Sequence, residues 1–124
     1  MNVLFTGGRS PATLALIRRF AEAGWQCDVA ESLQPNLAGA SKACSKNFTV
    51  PAPRQHTQAF IKALQEIITQ RQIDLLIPTC EETFYVAQNK HQLSCEVFTD
   101  DINCLQELHS KFLFNQCLQK LNLP

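Results

Sequence analysis

No sign of charge prevails in this sequence of 124 residues, because eleven basic residues balance eleven acidic ones. A nucleic-acid or anionic-membrane partner would leave a basic footprint, so neither is expected. There is no apolar run near the roughly 18 residues a bilayer span requires, and Met1 leads straight into an apolar stretch without a charged, signal-like flank. The reading is a cytoplasmic protein with no membrane partner. Ligand spacing is missing too: the six cysteines contain no CxxC pair and no Cys/His arrangement of the zinc type. No metal site is expected, and all six thiols read as reduced. Cys27 and Cys95 fall in expected strands and Cys117 on an expected helix face, where thiols act as small hydrophobes. His56, His91 and His109 lie near element ends without partner spacing, so each reads as a solvated surface histidine.

What is there begins with residues 2–20, read as a buried strand, a glycine turn and a helix start. Val3, Leu4 and Phe5 form an apolar run too short for a helix, and Gly7 and Gly8 supply the freedom of a tight turn. Ser10 is placed to cap a helix that starts at Pro11, where a missing N–H costs nothing. Such a turn aims free N–H groups and the positive helix end at one spot, a setting for an anion. It matches neither the GxGxxG fingerprint nor the GxxxxGK[ST] phosphate loop, so a plain connecting turn is an equal reading.

Leu14, Ile17 and Ala21 beside Leu16 and Phe20 make an apolar helical stripe, with Arg18, Arg19 and Glu22 on the wet side. Gly24 ends the helix, and Trp25 is placed to pack back on its last turn. A second strand follows over 26–31. Its last residue, Glu31, lies where dinucleotide-binding folds set an acid against a ribose hydroxyl. Residues 32–45 show no periodicity and read as an exposed loop with at most one helical turn. A short edge strand over 47–50 is stopped by Pro51 and Pro53.

Phe60, Ile61, Leu64, Ile67 and Ile68 mark an amphipathic helix over 55–71. The apolar run 73–77 is a strand of the kind buried on both faces of a parallel sheet. Then come Thr79, Cys80, Glu81 and Glu82, and a helix over 81–90 that buries some of Phe84, Val86 and Ala87. The two glutamates complement the helix dipole in the plainest reading. A strand over 95–98 and helices over 102–109 and 110–121 complete the chain.

This alternation predicts one α/β domain over 1–124, burying roughly two thirds of the surface its unfolded form exposes. The expected architecture is doubly wound and Rossmann-like, a mostly parallel five-stranded sheet in the order 3-2-1-4-5 with helices on both faces. Its crevice would bring Gly7, Gly8, Arg9 and Ser10 to Thr79, Glu81 and Glu82. Arg9 and Ser10 suit a carboxylate or phosphate, and Glu81 or Glu82 an amine or hydroxyl donor; a solvated rim is the plainer alternative. Cys80 stands at a helix start, a setting in which thiols become nucleophiles, but no His is expected beside it.

The succession MNVLFTGGRSPATLALIRRFAEAGW, the strand ending in Glu31, SKACSKNFTVPAP, IDLLIPTCEETFYVA and LHSKFLFNQCLQKLNLP covers the whole chain. It resembles the N-terminal domain of ATP-grasp ligases, closest to the branch of the carbamoyl-phosphate synthase large chain and related carboxylate–amine ligases. The resemblance implies activation of a carboxylate by ATP as an acyl phosphate, followed by attack of an amine or another nucleophile. It implies that Lys111, in HSK, contacts ATP phosphate, and that Leu123-Pro124 leads into an ATP-binding domain in the same chain. This chain is then a fragment, inactive alone, that forms one wall of the substrate site and lacks the acids that hold Mg2+. A homodimer is compatible with this reading. GGRSPA departs from the biotin carboxylase loop, which argues against bicarbonate. Two further readings stand beside it: an NAD(P)- or nucleotide-binding module of a reductase, suggested by TGG and Glu31, and a non-catalytic interaction domain.

Overall fold

A computed structural model of the protein describes residues 1–98. In chain order the elements are β1 (Asn2–Thr6), α1 (Pro11–Glu22), β2 (Gln26–Glu31), β3 (Lys46–Thr49), α2 (Thr57–Arg71), β4 (Leu75–Ile77), α3 (Glu82–Gln88), a 3₁₀ turn (Lys90–Gln92) and β5 (Glu96–Val97). The helices expected over 102–109 and 110–121 lie outside the described residues, and with them Cys104, His109, Lys111 and Cys117.

The five strands form one sheet in the order β3-β2-β1-β4-β5, and every pairing is parallel. Leu4 stands between Asp28 of β2 and Leu76 of β4, so β1 and β4 are neighbours in the middle of the sheet. Successive side chains of a strand alternate between faces, and the core divides accordingly. Leu4, Ala30 and Leu76 pack with Phe60, Ile61, Leu64 and Ile68 of α2 and Val86 of α3. Val3, Phe5, Cys27, Val29 and Ile77 pack on the other face with Ile17 and Phe20 of α1. This is the doubly wound α/β architecture.

The ends of α1 follow their residues. Ser10 Oγ accepts from the Ala12 N–H at 3.2 Å, and Pro11 occupies the first turn. At the other end Gly24 takes a φ of +93°, which lets the Trp25 N–H donate to the Phe20 carbonyl at 3.0 Å. The Trp25 ring then meets Phe20 edge to face, with centroids 5.2 Å apart.

Four expected elements are shorter than the sequence pattern, among them β5, which spans Glu96–Val97 and leaves Cys95 and Phe98 outside the strand. β4 begins at Leu75 rather than Ile73, because Asp74 turns its carboxylate onto the Asn2 N–H at 2.7 Å. α2 begins at Thr57, whose hydroxyl donates to the Pro53 carbonyl at 2.6 Å. α3 ends at Gln88, where the Asn89 amide donates to the Tyr85 carbonyl at 2.9 Å and the chain tightens into the 3₁₀ turn. Of the apolar residues expected to be buried in α3, Val86 is fully so and Phe84 is exposed.

A charge sits in the middle of the sheet. Asp28 of β2 is fully buried, and Arg71 at the last position of α2 meets it with two hydrogen bonds, Nε to Oδ2 at 2.9 Å and Nη2 to Oδ1 at 3.2 Å. Among the described residues no helix is long and apolar enough to cross a membrane.

Leu76 is fully buried at the centre of the sheet, so Leu76→Ala is expected to cost about 2–5 kcal/mol in denaturant unfolding. A loss below about 1 kcal/mol would place β4 at an edge instead.

Candidate functional site

In a parallel sheet of this order, the chain reverses direction between β1 and β4, and side chains from both turns converge beyond the carboxyl ends of these strands. Gly7 takes a φ of +67°, and a Cβ there would run into Thr79 Oγ1 and lie 2.9 Å from Cys80 Sγ. A Cβ on Gly8 would run into Asn36 Oδ1. Both glycines are therefore required by protein packed against the turn. Thr79 closes the seam, since its hydroxyl donates to the Thr6 carbonyl at 2.6 Å and its N–H to Thr6 Oγ1 at 3.1 Å. The buried Thr13 hydroxyl donates to the Gly7 carbonyl at 2.8 Å and lies 2.7 Å from Thr79 Oγ1.

The anion that the turn is built to attract is supplied by the chain itself. Glu31 is buried, and its Oε1 accepts from Arg9 Nη1 at 2.7 Å and from the Arg9 N–H at 3.3 Å. Its Oε2 accepts from the N–H groups of Ser32 at 2.6 Å and Leu33 at 3.2 Å. Arg9 also reaches across the crevice to the buried Glu82, Nη2 to Oε1 at 2.9 Å and Nη1 to Oε2 at 3.0 Å. One guanidinium thus joins the ends of β1, β2 and β4. Glu82 has a partner beyond the helix dipole that its sequence position suggested.

The electrostatics follow. The hydrogen bond to Glu82 is the main cause of a raised Arg9 pKa. Burial alone pushes the Glu31 carboxyl upward, but the hydrogen bonds from Arg9, Leu33 and Ser32 outweigh it and hold the group below the ordinary carboxylate range.

The expected site residues thus fall into three groups. Gly7, Gly8, Arg9, Thr79 and Glu82 come together, while Ser10 spends its hydroxyl on the cap of α1. Glu81 is exposed and makes no side-chain cap to α3, which leaves its carboxylate toward solvent. Lys111 is outside the described residues. The sequence reading passed over Thr6, Thr13 and Asn36, and it weighed Glu31 only against a ribose hydroxyl. The one signal for Glu31 was its position at a strand end. Cys80 is exposed with a φ of +58°, and its thiol lies 3.8 Å from the Gly7 carbonyl. No cluster of metal-ligating side chains is present among the described residues. Compared with protein-family models and with curated proteins, the chain matches none.

Two outcomes are expected. Glu31 is held low only in the folded chain, so its stabilising contribution is complete above the ordinary carboxylate range and is lost as pH falls through the lowered value. Arg9→Met removes the charge that holds it low, at a cost of about 1–3 kcal/mol near neutral pH, discounted because the Arg9 side chain is 31% exposed. Urea melts should show the gap to the parent chain shrinking on acidification; a widening gap would contradict the assignment. In the second experiment, iodoacetamide at neutral pH should label Cys80 ahead of Cys27, Cys44 and Cys95, whose thiols burial pushes up to about 12, 11 and 11. Peptide mapping reads the order, and earlier labelling of Cys27 would refute it.

Proposed function

We propose that this chain is the N-terminal, substrate-side domain of an ATP-dependent carboxylate–amine ligase of the ATP-grasp type, a cytoplasmic enzyme that activates its acid as an acyl phosphate. The observation that carries the reading is the meeting of Arg9, Glu31 and Glu82 beyond the carboxyl ends of β1, β2 and β4, with Glu81 open to solvent beside them. Ligands of doubly wound sheets bind at this place.

The geometry also divides the labour. The glycine turn is filled by Thr79, Cys80 and Asn36, and the Arg9 N–H is taken by Glu31, so this turn is not fitted to a triphosphate. Phosphate contact in this reading falls to Lys111 and to an ATP-binding domain farther along the chain. The two buried carboxylates of the crevice, Glu31 and Glu82, are both bonded to Arg9, which leaves them engaged within the chain rather than open to Mg2+. What this chain contributes is one wall: Arg9 and Glu82 hold each other and the crevice in shape, and Glu81 accepts from the amine of the acceptor. The reductase reading is disfavoured because both Glu31 oxygens already accept hydrogen bonds within the chain, which leaves little for a ribose hydroxyl.

In a longer protein carrying this domain, Lys111→Ala is expected to lower ATP-dependent ligation by about 10²-fold or more at subsaturating ATP. Glu81→Gln, at an exposed position, is expected to raise the KM for the amine while leaving ATP use unchanged. The 124-residue chain alone should neither hydrolyse ATP nor bind NADPH tightly. An unchanged ligation rate for Lys111→Ala would defeat the phosphate role, and tight NADPH binding by the chain would move the assignment to the reductase.

A further inference from the structure

Cys27 and Cys44 are far apart in sequence and adjacent in the fold. The Ser45 N–H donates to the Cys27 carbonyl at 2.7 Å, so the peptide after Cys44 is bonded to the peptide after Cys27. That bond sets two residues side by side in a parallel ladder, with Ser45 as the extra residue before the registered pair Asp28 and Lys46. Side-by-side residues of neighbouring strands share one face of the sheet and lie about 4.8 Å apart. Both cysteines indeed pack into the apolar cluster on the α1 side. The generic strand spacing falls inside the roughly 4.4–6.8 Å between Cα atoms that a disulfide spans.

From this geometry we infer that Cys27 and Cys44 are an oxidation site that closes to a disulfide in the folded chain when a small-molecule disulfide is supplied. Cys27 is fully buried, with its thiol directed to the Trp25 and Ile17 carbonyls at 3.6 and 3.7 Å, whereas Cys44 is half-buried. A groove of about 530 Å³ lined by Arg18, Ala21, Glu22, Ser41, Lys42 and Ala43 lies beside the residue before Cys44. The Cys44 thiolate attacks one sulfur of the reagent, its S–S bond breaks, and one thiolate leaves with the electron pair. The Cys27 thiolate then attacks Cys44 Sγ and expels the second thiolate. The two cysteine protons end on the two released thiols, the pair loses two electrons, and the reagent gains them. Burial holds both thiols mostly protonated at neutral pH, so the exchange is slow and needs a long incubation. The closed loop encloses Glu31, Gln34 and Asn36, and so fastens the segment that holds Arg9.

The test incubates the 124-residue chain with hydroxyethyl disulfide, alkylates remaining thiols, digests without reduction and maps peptides by mass. The expected dominant cross-link joins Cys27 to Cys44, two hydrogens lighter than the reduced pair, and Cys44→Ala abolishes it while Cys27 is recovered as a free thiol. In urea the same cross-link should become a minor one. The inference is overturned if a chain with native circular dichroism yields Cys27 and Cys44 as separate thiols or adducts. It is equally overturned if Cys27 joins chiefly another cysteine, or if urea leaves the preference unchanged.

Discussion

Three strand ends meet at one guanidinium. Arg9 is charged at every accessible pH, and taking it out of water demands carboxylates with matching geometry. Glu31 and Glu82 meet that demand from opposite sides, one from the end of β2 and one from the start of α3. Each carboxylate would be costly to bury alone, so the cluster stands as a unit and removing any member strands the others. The turn after β1 is shaped around it: the N–H groups that another protein would offer to a ligand are here turned to Glu31 and to the turn's own closure.

This arrangement separates two things that a glycine turn at a switch point often combines. Gly7 and Gly8 are needed for close packing against Thr79 and Asn36, and the freedom they confer is used inside the protein. The chemistry left for a ligand is on the rim, in exposed Glu81 and Cys80 and in the part of Arg9 that solvent reaches. Such a rim suits a small polar molecule better than a row of phosphates, since the N–H groups of the turn are already taken.

The strand order and α1 were legible because the sequence punctuates them: apolar runs are bounded by Gly7, Gly24 and Pro78, and Ser10-Pro11 marks one helix start. The juxtaposition of the two turns followed from that order. What could not be read were interactions whose partners are distant in the chain and carry no periodicity. Arg9 is 22 residues from Glu31 and 73 from Glu82, and either acid alone looks like an ordinary strand-end or helix-start residue. The loop 32–45 was opaque for a similar reason. It is fastened by the amides of Gln34, Asn36 and Asn47, which bond one another and hold Gly39. Amides leave no hydrophobic pattern, and their pairing becomes visible only when β3 lies beside β2.

The ion pair between Asp28 and Arg71 bears on how the molecule breathes. Asp28 has no access to water, and its partner is the final residue of α2. Fraying of that last turn, ordinarily the easiest local opening of a helix, would here leave a carboxylate uncompensated beneath it. The amides at the end of α2 are therefore expected to exchange no faster than those of β2, because opening that turn uncovers a charge in the middle of the sheet. A helix terminus at the surface is in this way tied to a buried position of the sheet.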